Sequence, residues 1–141
     1  MTREHVRLAV LPTHPLARRR AVSLADAARE PFLGYTREEY PDYYEHLDGI
    51  FAAVKKKPRV IEEHDGISSL LPAIEAGTGV ALVAESLGRI AGQRVKLLRL
   101  TPEPKPVIIG IAAPEGRLTP AAEKFWQCAK QAAAAAANSR R

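Results

Sequence analysis

With 141 residues, the chain has room for one domain or for two small lobes of something larger, because domains run to roughly 100–200 residues; large multidomain enzymes are excluded. Apolar residues make up 46% and charged residues 26%, near globular averages, so a real core can form and global disorder is excluded. The net charge of +5 is spread over both halves and clusters only at Arg18–Arg20, Lys55–Lys57 and Arg140–Arg141, while aromatics at 6% are too sparse for base-stacking platforms, so these residues are not expected to bind nucleic acid.

In chain order, Val6–Val10 reads as a strand stopped by Pro12 and Pro15. Ser23 followed by Asp26 is a variant of the capping box and opens a short helix, which Pro31 ends; Phe32–Tyr35 is a second strand. Tyr43, Leu47, Ile50, Phe51 and Val54 share one face of an α-helix, with Pro41 near its start, Lys55–Lys57 complementing the dipole at its end and Pro58 closing it. Val60-Ile61 is a third strand. Ile67, Leu70, Leu71 and Ile74 then repeat at helical spacing, Gly77 is placed to end that helix in a left-handed cap, and Pro72 is a difficulty unless it lies in the first turn. Val80–Ala84, apolar throughout, reads as a parallel strand covered on both faces. A short helix over 85–90, strands at Val95–Leu100 and Val107–Ile111, and a helix from Thr119-Pro120 into six alanines complete the chain. This alternation predicts an α/β layer with a mainly parallel sheet flanked by helices, and residues 132–141 form a low-complexity tail.

In such sheets the functional crevice lies beyond the carboxyl ends of the strands. Two junctions qualify: Tyr35-Thr36-Arg37 after the second strand and Asp65-Gly66-Ile67 after the third. Each offers backbone donors at a helix start, suited to a carboxylate or phosphate; alternatively Asp65 and Ser68 cap the helix and Gly66 merely turns the chain. The other chemistries find little support. Cys128, the single cysteine, excludes an internal disulfide and reads as a buried structural thiol in a reducing compartment. The four histidines lack metal-ligand spacing, Gly77-Thr78-Gly79 is a turn instead of a phosphate loop, and the carboxylate pairs read as solvated faces. No segment has the roughly 20 apolar residues of a membrane span, and the start lacks a signal-peptide core. A cytoplasmic chain without metal, cofactor or catalytic residues is the expectation.

Leu8-Ala9-Val10-Leu11-Pro12-Thr13-His14-Pro15-Leu16-Ala17, Val22-Ser23-Leu24-Ala25-Asp26 and Glu30-Pro31-Phe32-Leu33 resemble the "LVL…HPLA…VSLADLA…PFI" passage of LysR-type transcriptional regulators. Ala73-Ile74-Glu75-Ala76-Gly77-Thr78-Gly79-Val80-Ala81-Leu82-Val83 resembles that family's "V-A-A-G-x-G-I-A-L-L-P" segment, with Ala84 standing in place of the proline. Order and spacing agree from Val6 to about Lys130, and Tyr35 with the acidic, proline-containing loop after it looks most like the branch answering to aromatic-degradation metabolites such as benzoate or muconate.

The resemblance implies an effector-sensing domain of the periplasmic-binding-protein-like type 2 fold, in which a small metabolite between two lobes alters DNA binding by the parent protein. It implies that residues 22–100 form the second lobe, that 1–21 and 101–131 are strands, crossovers and terminal helix of an incomplete first lobe, and that DNA contacts belong to a helix-turn-helix outside this sequence. Carried over residue by residue, the effector contacts fall on Tyr35, Thr36, Arg37, Asp65, Gly66 and Ile67, the same two junctions. A homo-oligomeric parent is expected by resemblance alone. The rival readings are a stand-alone cytoplasmic small-molecule-binding α/β domain or small enzyme, which would need a closed pocket of its own.

Overall fold

The computed structural model describes residues 2–138. In chain order its elements are β1 (Thr2–Glu4), β2 (Val6–Val10), β3 (Ala21–Ser23), α1 (Leu24–Ala27), β4 (Pro31–Tyr35), α2 (Pro41–Ile50), β5 (Arg59–His64), α3 (Ile67–Glu75), β6 (Ala81–Ala84), α4 (Leu87–Ala91), β7 (Lys96–Thr101), β8 (Val107–Ile109) and α5 (Pro120–Asn138). They fall into two compact units, His5–Val107 and the segments flanking it. The first takes in both the stretch 22–100 read as the second lobe and the strand of residues 6–10.

Within His5–Val107 a four-stranded sheet runs in the order β3-β7-β2-β6, and β4 and β5 form a second, parallel pair. Phe32 bridges to Val80 in the parallel sense. The α/β class stands, but the sheet is mixed where a mainly parallel one was expected. β2 is antiparallel to both its neighbours, with Val6 opposite Ala84 and Leu8 opposite Leu82 and Leu98. A strand buried on both faces shows an unbroken apolar run whichever way it points, so the run at 80–84 carried no information on direction.

Alternation along the strands makes two cores. Leu8 and Val10 of β2, Leu82 of β6, Leu98 and Leu100 of β7 and Phe32 of β4 face one side, under Leu47 and Phe51. Ala9, Ala81, Val83 and Leu33 face the other, under Leu70, Leu71 and Ile74 of α3. The alanines at 9 and 81, both fully buried, are small enough to let α3 lie close on the strands.

Local chemistry explains most boundaries. Ser23 Oγ accepts from the Asp26 amide at 3.0 Å and so caps α1. His14 Nδ1 accepts from the Leu16 amide at 3.1 Å, fixing the 3-10 turn after β2. α3 ends as expected: Gly77 takes φ +75°, its amide donates to Ile74 and that of Thr78 to Ala73, a Schellman closure. Pro72 lies well beyond the first turn of α3. It leaves the Ser68 carbonyl without its helical donor, but both residues are on the exposed side, where water replaces that donor.

Three expectations are corrected. The helix expected to reach Val54 stops at Ile50, because the chain must turn before Pro58 forces extended backbone. Lys55–Lys57 are therefore not its last turn; Lys57 Nζ instead donates to the Phe51 carbonyl at 3.1 Å. The strand expected at Val60-Ile61 runs from Arg59 to His64. Cys128 is exposed. The half-buried positions of α5 are 126, 129, 133 and 136, one helical stripe, and residue 128 stands off it.

Candidate functional site

Parallel pairing of β4 with β5 sets Tyr35 beside His64, so the two junctions singled out in the sequence stand next to each other at one end of the sheet. The Thr36 amide donates to the His64 carbonyl at 3.0 Å. Arg37 lies over the Tyr44 ring, 3.9 Å from its centroid, with Nε 3.4 Å from Glu63 Oε1. The Asp65 carboxylate accepts from Ser69 Oγ at 2.7 Å and its carbonyl from Tyr40 Oη at 3.1 Å. Gly66 precedes α3 in extended backbone, a conformation open to any residue, and Ile67 is half-buried.

Behind these loops stand four tyrosines. Tyr35 meets Tyr40 at 4.7 Å between ring centroids and Tyr43 edge-on at 5.2 Å, and Tyr43 meets Tyr44 edge-on at 5.4 Å, the tilted and edge-to-face arrangements that aromatic quadrupoles favour. Tyr44 Oη lies 2.6 Å from the Tyr35 carbonyl and 3.1 Å from Glu63 Oε1, so its one hydrogen serves two acceptors. Burial, then the Glu63 carboxylate, push the Tyr44 phenol up to about 12. Burial also raises Tyr35 and Tyr43 above the ordinary phenol value. Gly34 makes the stack possible: a Cβ there would be 2.9 Å from Tyr44 Oη and 3.2 Å from Val60 Cγ1.

Tyr35 and Tyr43 form one side of a cavity of about 230 Å³, whose other walls are His46 and Leu47 of α2, Val6 of β2, Leu82, Val83 and Ala84 of β6, and Val107. The wall residues gather at the carboxyl ends of β4 and β6 and the amino end of the antiparallel β2, where a ligand crevice is expected in an α/β sheet. No charged side chain lines it. Two buried polar atoms on its wall residues are short of partners: His46 Nε2 has none, and Tyr43 Oη meets only the Leu82 backbone; burial lowers the His46 pKa, which favours the neutral ring. His46 also borders a second cavity of about 410 Å³, shared with Glu45, Ile50 and the Pro102–Lys105 loop.

The cation next to Val6 on β2 is already engaged. Arg7, almost fully buried, places Nη1 2.8 Å from Glu103 and Nη2 3.1 Å from Glu85. Burial opposes its charge, but the hydrogen bond it donates to Glu103 and the charge of Glu85 outweigh that and raise its pKa. Arg7, then Arg99, hold the Glu103 carboxyl below its ordinary value.

Of the six residues chosen from the sequence, Tyr35 lines the cavity; Thr36, Arg37, Asp65, Gly66 and Ile67 are not among its walls. Sequence reasoning assigned Tyr43 to the helix core and gave His46 no role. Their i,i+3 spacing on one face of α2 was the available signal.

The family model "LysR substrate binding domain" matches residues 1–134. The HTH-type transcriptional regulator TtuA of Agrobacterium vitis is 28% identical over 91 residues, 64% of this chain and 30% of that protein. Among solved structures, the effector-binding domain of QuiR in complex with shikimate aligns with a TM-score of 0.65 at 17% identity, over 91% of this chain and 60% of that one. The BenM effector-binding domain with its effector benzoate aligns with a TM-score of 0.61 at 26% identity, over 70% of this chain and 46% of that one. The chain thus spans less than two thirds of the length of each of these relatives.

Proposed function

The chain belongs to the LysR substrate-binding domain family, and from that premise we propose that it is the effector-sensing part of a bacterial LysR-type transcriptional regulator. In this reading a small metabolite binds against the tyrosine-lined wall, and the bound and free arrangements of the parent differ in how it holds DNA. DNA contact, a homo-oligomeric parent and a cytoplasmic location belong to the same proposal; among the described residues no helix is long and apolar enough to cross a membrane. Family and fold point to a regulatory domain, and the mechanism needs no covalent step.

The observation that carries the reading is the cavity of about 230 Å³ at the strand ends, with Tyr35 in its wall. We assign the ligand body to that recess and its outer part to Thr36, Arg37, Asp65, Gly66 and Ile67. The titrations that test this use the full chain, benzoate and shikimate, the molecules named with the two structural relatives, and amide chemical shifts. Shifts at Tyr35, Tyr43, His46 and Ala84 are expected. Shifts confined to other residues, or none up to millimolar ligand, would overturn the assignment. Arg37→Ala separates the rim from the recess: unchanged affinity removes Arg37 from the contact set.

A further inference from the structure

Resting on the reading of the 230 Å³ cavity as the effector recess, we propose that the group entering it is a neutral, ring-sized moiety carrying a hydroxyl, held between Tyr43 Oη and His46 Nε2, and not a carboxylate. Size sets the first limit. An apolar cavity of about 150 Å³ accommodates benzene, so this recess takes one substituted ring and little more.

Polarity sets the second. The walls are aliphatic and aromatic with no Lys, Arg, Asp or Glu, and the cations near this end of the sheet already have carboxylate partners: Arg7 has Glu85 and Glu103, and Arg37 has Glu63. A carboxylate moved from water into such a recess would lose its hydration without gaining an opposite charge, a large cost.

The polar atoms then choose among neutral groups. Tyr43 and His46 lie one helical turn apart on α2, and each has a buried polar atom short of hydrogen bonds, His46 Nε2 with none and Tyr43 Oη with only the Leu82 backbone, which leaves its O–H without an acceptor. Such a group costs about 1–3 kcal/mol when left unmet, so a ligand that supplies the partner recovers stability already lost in the free protein. A phenol O–H donates and a neutral imidazole presents either a donor or a lone pair at Nε2. A hydroxyl, which donates and accepts, satisfies the pair in either tautomer; a carboxylate, accepting only, does not.

The test titrates the full chain with phenol, benzoate and toluene at pH 7.5, reading amide shifts and affinity for the unmodified chain, Tyr43→Phe and His46→Leu. The expected result is phenol binding at Tyr43, His46 and Ala84 more tightly than benzoate, with Tyr43→Phe weakening phenol about three- to tenfold and leaving toluene unchanged. Retention of the parent spectrum in Tyr43→Phe separates lost affinity from lost fold. Benzoate binding at the same residues more tightly than phenol would overturn the ligand class while leaving the recess in place. Absence of shifts there with all three probes would overturn both.

Discussion

A methyl group added at Gly34 would sit 2.9 Å from Tyr44 Oη and 3.2 Å from Val60 Cγ1, and at Gly79 it would sit 2.6 Å from the Pro31 carbonyl oxygen. The first clash is with a phenol that can swing aside, the second with backbone. Gly34→Ala is therefore expected to destabilise by about 1–3 kcal/mol, in the range of overpacking, and to disturb the tyrosine stack. Gly79→Ala is expected to cost more, because the Val80 amide bonded to that carbonyl at 2.9 Å must move with it. Urea midpoints of the two variants check the order; a smaller loss at Gly79 than at Gly34 would contradict it. The sequence showed the glycine pair as a turn and placed the left-handed cap at Gly77. It held no trace of the reason for Gly79, since the Pro31 carbonyl is distant in sequence and only the fold brings it near.

Among elements, α2 carries the most. Its start was legible from Pro41, but its end was not, because Phe51 and Val54 continue the apolar period after the helix has stopped. That same period concealed His46, which sits at the margin of the apolar face and borders both cavities. β2 supplies the charged counterpart through Arg7, which joins it to Glu85 after β6 and Glu103 after β7. Because the folded Glu103 carboxyl is depressed, its contribution to stability is fully present above its unfolded value of about 4.3. It is lost as pH falls through the lower folded value. Urea unfolding at pH 6 and near pH 3 is expected to show a smaller acid loss in Glu103→Gln than in the unmodified chain. Equal losses would remove Glu103 from the linkage. At the end of β3, Ser23→Ala is expected to cost about 0.5–2 kcal/mol through the lost cap on α1, read as a lower thermal midpoint.

For the whole molecule, the α/β class was readable from the alternation of elements, and the family from motifs at the right spacing. Strand direction was not readable, because it depends on which distant strand accepts β2. The unit His5–Val107 holds both cores and is expected to fold when expressed alone. Dispersed amide spectra with the slowest hydrogen exchange in β2, β6 and β7 would confirm it, and a collapsed, undispersed spectrum would refute it.

The antiparallel course of β2 sends its first residues to the edge where β7 ends. There His5 Nδ1 lies 3.0 Å from the same Glu103 oxygen that holds Arg7. The polypeptide thus enters and leaves this unit through one doorway, as an inserted cassette does. A short linker from Val107 back to His5 would close the loop, and new ends opened at the exposed Lys55–Lys57 turn would give a circular permutant with the same two cores.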